Sequence, residues 1–251
     1  MTAATVRLLP PAPPPDASPA RVPDLYCFPH AGGGVPTFLP WNTALGGQAR
    51  VHAVGYPEPV PGSSRGITAV ASAIADRLRP GPGAIFLGHS MGSLVAFETV
   101  RELHRRGVRG PQVLVVAAHA APHLAAQRPP LHTLASGPFW LEVSALGGTP
   151  PEVLRSPELR QATEPRLRAD FAACETYRFA SGPPLSCRVL AYAGADDPQA
   201  TPTAMQAWRL HTLGGFAHTI RPGGHFFLHD DPRGLLEDVM ANIATPVRGR
   251  R

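Results

Sequence analysis

Six short apolar runs constrain this chain more than any other feature: "DLYCFPH", "RVHAVGY", "AIFLGHS", "QVLVVAAH", "RVLAYAG" and "FAHTIRPGG". Each has the length and near-continuous hydrophobicity of a strand buried on both faces. Stretches between them carry a helical period instead. Residues 68–79 place Val70, Ile74 and Leu78 four apart, and residues 93–106 place Leu94, Phe97, Val100 and Leu103 three apart, with Gly107 as a stop. Strands alternating with helices predict an α/β fold with a mostly parallel central sheet flanked by helices. From about Pro122 to Pro184 the alternation fails, and the stretch is Pro-punctuated and helical in pattern. The expected organisation is a disordered Pro-rich N-terminus over 1–20, a core formed by 21–121 and 185–245, a helical insertion over 122–184 and a basic tail at 246–251.

Within the third run, Gly88-His89-Ser90-Met91-Gly92 matches G-x-S-x-G between a strand, "AIFL", and a helix, "SLVAFETVREL". Ser90 then falls on a strand-to-helix turn, the nucleophile elbow. The flanking glycines let the backbone turn sharply, and the helix N-terminus favours a developing oxyanion. The competing reading is a Gly-Ser turn that only caps a helix.

A serine nucleophile needs a base, and the base needs an orienting carboxylate, in the chain order Ser, acid, His. "RVLAYAGADDP" ends an apolar strand with Asp196 and Asp197, and "TIRPGGHFFLHDDP" places His225 after a Gly-Gly turn. Asp197, restricted by Pro198, is the expected orienter, with Asp196 as the alternate. His225 is the expected base, with His229, assigned to the first turn of the final helix, as the alternate. His218 reads as a packed or surface residue of a strand, His89 as a packing residue in the elbow, and Ser93 as helical. The oxyanion would be bound by two backbone N–H groups, one from Met91 and one from the loop "CFPHAGGG", with Ala31 as the candidate donor. The glycines of that loop do not form G-x-G-x-x-G and read as allowing close backbone approach.

Composition excludes several alternatives. The net charge is +5, but three of the positive charges lie in the tail at Arg248, Arg250 and Arg251. No basic block is interleaved with aromatics, so nucleic acid is not an expected partner. All basic residues are Arg, which excludes a Walker A lysine. Cys27, Cys174 and Cys187 are odd in number and form no CxxC, which argues against a disulfide framework or a thiolate metal site and for a reducing, cytoplasmic setting. No apolar run reaches the length of a membrane span, and the N-terminal stretch lacks the apolar core of a secretory signal.

With these pieces assembled, the chain resembles the type II thioesterases, stand-alone α/β-hydrolases that accompany polyketide synthases and non-ribosomal peptide synthetases. "FPHAGGG", "GHSMGSLVAFE", "LGGTPPEVLRSPEL", "LRADFAACETYR", "GADDP" and "GGHFFL" resemble the family's blocks in the family's order, over residues 24–245. The blocks inside the insertion are the most specific. The resemblance implies an α/β-hydrolase fold with Ser90, His225 and Asp197 as the triad and Ala31 and Met91 as oxyanion donors. It also implies that residues 122–184 form a helical lid over the acyl and phosphopantetheine channel. Two departures stand out. Pro57-Glu58-Pro59 replaces the family's usual Pro-Gly-Arg, and His119 stands where a small residue is more common. His119 either lines the acyl pocket or is a hydrogen-bonded residue at a strand end.

The expected activity is hydrolysis of acyl thioesters carried on the phosphopantetheine of a carrier protein, with no metal or cofactor, by a monomer. Editing of short, stalled acyl groups is the role the resemblance suggests. Product release, acyl transfer or cyclisation would use the same machinery. A general carboxylesterase and a catalytically idle carrier-binding module are the competing readings. Arg166, Arg168 and Arg178 are candidates for a basic rim that meets an acidic carrier.

Overall fold

The computed structural model describes residues 22–57, 66–124 and 129–244. The expected disordered N-terminus and basic tail, and Glu58 and Pro59 of the departing loop, lie outside the described residues. In chain order the elements are β1 (Asp24–Phe28), α1 (Leu39–Ala44), β2 (Arg50–Ala53), α2 (Ile67–Ala75), β3 (Ile85–His89), α3 (Met91–Arg105), β4 (Val113–Ala117), α4 (Ser136–Leu146), α5 (Pro151–Arg155), α6 (Pro157–Glu175), β5 (Arg188–Gly194), α7 (Pro202–Gln206), β6 (Phe216–Arg221) and α8 (Pro232–Ala244). All six apolar runs form strands. They pair in parallel throughout, in the order β2-β1-β3-β4-β5-β6.

Side chains alternate across the sheet with period two. Tyr26, Phe28, Phe86, Leu114 and Val116 face α2 and α3, where they meet Ile67, Ile74, Leu94, Val95 and Leu103. Leu25, Cys27, Ile85, Leu87, Val113 and Val115 face the other way, against Phe38, Trp41, Leu45, Leu235 and Leu236 around α1 and α8. Burial on both faces explains why the central strands β1, β3, β4 and β5 read as continuous apolar runs rather than alternating ones.

Helix boundaries differ from the periodic reading where capping decides them. The helix expected over 68–79 ends at Ala75, and Arg79 donates to the carbonyls of Ala75 and Leu78 at 3.0 and 2.8 Å, satisfying the exposed helix end. The helix expected from residue 93 begins at Met91, directly after the turn. The short helices α1 and α7 were not visible in the pattern. Each has Pro in its first turn and is too brief to show a period.

The helices between β4 and β5 pack around their own small core of Phe139, Trp140 and Val143, joined by Leu134, Leu167 and Phe171. The two ends of this insertion meet. The Glu175 carboxylate accepts from Leu131 N at 2.7 Å and from His132 N at 3.2 Å, and it also pairs with the His132 ring. The exit segment is fastened to α3, where Glu98 is buried. The Tyr177 hydroxyl donates to Glu98 Oε1 at 2.6 Å, Arg101 donates to the same oxygen at 2.7 Å, and Arg101 also donates to Ala180 O at 2.7 Å. Among the described residues, no helix is long and apolar enough to cross a membrane.

A hydrogen bond to a buried carboxylate contributes roughly 1–2 kcal/mol. Tyr177→Phe removes this one while Arg101 still neutralises Glu98. Urea unfolding of the variant should therefore show a loss of about that size with an unchanged m-value. An unchanged midpoint would mean that the Tyr177–Glu98 bond does not fasten the insertion.

Candidate active site

Ser90 sits between β3 and α3 with φ 53° and ψ −120°, in the left-handed half of backbone space that an L-residue rarely occupies. Two glycines make the turn possible. A Cβ on Gly88 would lie 2.4 Å from Gly92 O, and a Cβ on Gly92 would lie 2.0 Å from Phe28 O and 2.8 Å from Pro29 O. The start of α3 therefore presses directly onto the backbone leaving β1. Ser90 N donates to Ala117 O at 2.8 Å. Ser93, which is helical as expected, also does more. Its buried hydroxyl lies 2.9 Å from Gly88 O and 3.0 Å from Ala117 O, and accepts from Ala117 N at 3.1 Å. It ties the turn to β4, a contact that no local pattern announces.

The acid and base arrive on two laced loops. A Cβ on Gly194, the last residue of β5, would lie 2.4 Å from Gly224 O, so the loops after β5 and β6 can touch only through glycine there. Ala195 N donates to Arg221 O at 2.8 Å and Asp196 N to Gly223 O at 3.0 Å. This brings Asp197 Oδ2 to 2.8 Å from His225 Nδ1, and His225 Nε2 to 2.9 Å from Ser90 Oγ. The hydrogen-bond pattern assigns the proton on Nδ1 to the Asp197 bond and leaves Nε2 to accept from the serine hydroxyl. Asp196 is exposed, whereas Asp197 is buried and its Oδ1 accepts from Gln199 N at 2.8 Å. Burial by itself raises the Asp197 carboxyl. The hydrogen bond and charge of His225 and the N–H groups of Gln199 and Ala200 together outweigh it, and the group stays below the ordinary aspartate range.

The other histidines divide by environment. His89 is fully buried, and its Nε2 meets His225 O at 2.8 Å, so it supports the loop of the candidate base. Burial pushes His89 well below its ordinary value and His30 down to about 4, so both are neutral rings, packed edge-on with each other and with Phe226. His229 does not lie in the first turn of α8. It ends a separate 3-10 turn, Phe227–His229, because Pro232 starts the helix. There it accepts from Trp41 Nε1 at 3.3 Å, and burial lowers it too. His218 is a half-buried residue of β6. His119 has its Nδ1 2.7 Å from Ala120 O, while its carbonyl accepts from Trp208 Nε1 at 2.8 Å, which favours the reading of a hydrogen-bonded strand end.

Ala31 lies in the loop after β1. Gly33 N donates to His30 O at 2.9 Å, which turns the N–H of the same peptide, that of Ala31, to the opposite side. Met91 opens α3, where no helical carbonyl can take its N–H. Met91 also lines a small cleft with Ile67, Val70, Val95, Ala169, Asp170 and Ala173, between α2, α3 and α6. The three arginines proposed for a rim separate. Arg168 is engaged inside the insertion with Glu164, His132 O and the Phe139 ring, and Arg166 donates to Gly33 O at 3.3 Å. Only Arg178 is exposed, with its guanidinium on the Glu175 and Tyr177 carbonyls. Among the described residues, no cluster of three or more His, Cys, Asp or Glu side chains could hold a metal.

Comparison with known proteins gives a consistent picture. The family model "Thioesterase domain" matches residues 23–243. The gramicidin S biosynthesis protein GrsT of Aneurinibacillus migulanus is 31% identical over 221 residues, spanning 85% of this chain and 86% of that one. The type II thioesterase BorB from the borrelidin biosynthetic cluster superposes with a TM-score of 0.81 at 32% identity, covering 94% of this chain and 97% of its own. YbtT, a type II thioesterase from the yersiniabactin NRPS/PKS pathway, also reaches 0.81, at 29% identity, with coverage of 94% and 97%.

The depressed Asp197 carboxyl links this site to stability. A group whose folded value lies below its unfolded value stabilises above the unfolded value, and that contribution is lost as pH falls through the folded one. Wild type should therefore exceed Asp197→Asn in melting temperature at neutral pH, and the gap should narrow as pH drops below about 4. A gap that stays constant from pH 7 to pH 3 would show that the ionised carboxylate is not what His225 stabilises.

Proposed function

Because the chain belongs to the thioesterase family, we propose that it hydrolyses acyl thioesters held on the phosphopantetheine arm of a carrier protein, with Ser90 as nucleophile, His225 as base and Asp197 as orienter. The observation that carries the reading is the continuous hydrogen-bond line from Asp197 Oδ2 through His225 to Ser90 Oγ at the elbow.

In the scheme, His225 Nε2 takes the hydroxyl proton as Ser90 Oγ bonds to the thioester carbonyl carbon. The resulting oxyanion is received by the N–H groups of Met91 and Ala31, which lie on backbones brought into contact at Gly92. The carbon–sulfur bond then breaks, and the carrier thiol leaves with the proton from His225. A water gives its proton to His225 and attacks the acyl-serine. The carbon–Oγ bond breaks, Oγ recovers the proton, and a carboxylic acid is released. Asp197 keeps the imidazole in the right tautomer and stabilises its cation. The scheme draws on these side chains and the helix N-terminus, with no cofactor.

The insertion between β4 and β5 is read as the lid of this site. Editing of stalled short acyl groups is the proposed role, in line with type II thioesterase relatives such as BorB and YbtT. The biosynthetic relatives make synthase carrier domains the proposed partners. Free Cys27, Cys174 and Cys187 accord with cytoplasmic work, here proposed for a monomer.

The test is acid release from a panel of acyl-carrier proteins, acetyl through long chains, with wild type and Ser90→Ala side by side. Loss of the nucleophile should lower turnover by roughly 10⁴-fold or more while circular dichroism stays unchanged. Wild type should prefer short chains. A sharp preference for one long chain would replace editing with product release, and turnover independent of Ser90 would overturn the assignment.

A further inference from the structure

The lid does more than cover the site: it bonds to the loop that carries an oxyanion donor. Asp170, in the second turn from the C-terminal end of α6, accepts from Gly32 N through Oδ2 at 2.8 Å, across 138 positions of sequence. Gly32 directly follows Ala31. The peptide joining them is held on both sides, since its carbonyl, Ala31 O, lies 2.9 Å from His30 Nδ1 and its N–H is the one that Asp170 accepts. Two more residues of the same α6 face reach this loop. Arg166 donates to Gly33 O at 3.3 Å, and a Cβ on Gly32, where φ is +75°, would come within 2.6 Å of Leu167 Cδ1. Residues 166 and 170 are one helical turn apart, so α6 lies along the loop with one face.

An oxyanion donor works because it is aimed before the charge develops, and a peptide free to rotate loses that advantage. Gly32 makes rotation of the neighbouring Ala31–Gly32 peptide easy, because it has no Cβ to restrict it. The bond to Asp170 is charge-assisted and the stronger for it. The geometry points to Asp170 as a positioning residue that fixes the Ala31–Gly32 peptide and, through Ala31, the adjoining His30–Ala31 peptide whose N–H is the donor, making oxyanion stabilisation depend on the lid helix being seated. The inference rests on the thioesterase reading with Ser90 as nucleophile.

The experiment compares wild type, Asp170→Ala, Asp170→Asn, Leu167→Ala and Ser90→Ala on one acyl-carrier substrate. It also measures inhibition by an acyl-pantetheine trifluoromethyl ketone, which forms an oxyanion with a serine, and by the corresponding non-hydrolysable amide, which does not. Removing one oxyanion donor outright costs about 10²–10³-fold in kcat, so releasing its aim should cost about 10- to 100-fold. Asp170→Ala should lower kcat by that amount with KM little changed. Ketone affinity should fall in parallel and amide affinity should hold. Asp170→Asn, whose side-chain oxygen can still accept from Gly32 N, should recover most of the rate. Leu167→Ala, which loosens the seating of α6 but leaves the bond in place, should lose clearly less than Asp170→Ala.

Equal losses in Leu167→Ala and Asp170→Ala, or equal weakening of ketone and amide, would mean that helix seating alone matters and would overturn the positioning role. So would an Asp170→Ala rate within twofold of wild type while Ser90→Ala is inactive. Turnover that survives Ser90→Ala would instead overturn the thioesterase reading itself. Should Asp170→Ala fail to fold, Asp170→Ser keeps a polar helix surface with a hydroxyl too short to reach Gly32, and the same comparisons apply.

Discussion

The contact on which this structure depends is between two stretches of main chain. Gly92, in the first turn of α3, lies against the carbonyls of Phe28 and Pro29, closer than any side chain would allow. That contact fixes where the helix begins relative to β1, and with it the spacing between the two loops that flank Ser90. Holding a serine at φ 53° costs about 1–3 kcal/mol of backbone strain. The surroundings over-determine it: Ser90 N is bonded to β4, the Ser93 hydroxyl is bonded to both sides of the turn, and Gly88 admits the returning chain. A strained residue persists only where its neighbours leave it no alternative, and here those neighbours are backbone groups rather than replaceable side chains.

Four histidine rings crowd the space beside that turn, and their environments set them apart. His30, His89 and His229 are pushed down by burial and serve as neutral aromatic rings among Phe226, Trp41 and one another. His225 alone has a carboxylate on one nitrogen and a hydroxyl on the other. A cation on His30 or His89 would be buried among aromatic rings with only other histidines as charged neighbours, and at His229 burial outweighs the nearby Asp230 carboxylate. Asp197 therefore gives one imidazole of the four a place where positive charge can reside. The neutral rings exclude water from its far side, and His89 holds the His225 carbonyl in place.

Much of this was readable in the sequence, for identifiable reasons. The central strands β1, β3, β4 and β5, buried on both faces, read as continuous apolar runs, and the half-buried edge strands β2 and β6 were still apolar enough to be visible. The elbow was visible because its two glycines are demanded by backbone contacts two residues either side of the serine. The choice of Asp197 over Asp196 was harder: adjacent residues of one turn differ only in which faces inward, and the Gly194–Gly224 contact that decides it spans two loops. His229 was misplaced by a few residues because Pro232, rather than the apolar "FFL", marks the helix start. The arginines misled more, since charge in a sequence does not reveal whether a guanidinium meets solvent, as Arg178 does, or a glutamate and an aromatic ring, as Arg168 does. Asp170 lies in the quoted block "LRADFAACETYR", but its role was not legible there, because its partner is a main-chain N–H 138 positions away in the sequence.

That last pairing changes how the insertion should be regarded. Its exit is fastened to α3 through Tyr177, Arg101 and buried Glu98, and its longest helix is fastened to the loop after β1 through Asp170 and Arg166. These are the two backbones that meet at Gly92. A displacement of α6 away from the sheet must therefore either break the bond to Gly32 or carry the loop with it, while the exit segment, held to α3, stays in place. The insertion thus has a fixed end on the element that carries the serine and a breakable end beside Ala31. A substrate arm that needs room beneath α6 would strain the second attachment before the first. On the proposed reading, reseating the helix would restore the loop's orientation as the acyl group is enclosed, coupling admission of substrate to preparation of the site through the Asp170 and Arg166 bonds rather than through a rearrangement of the core.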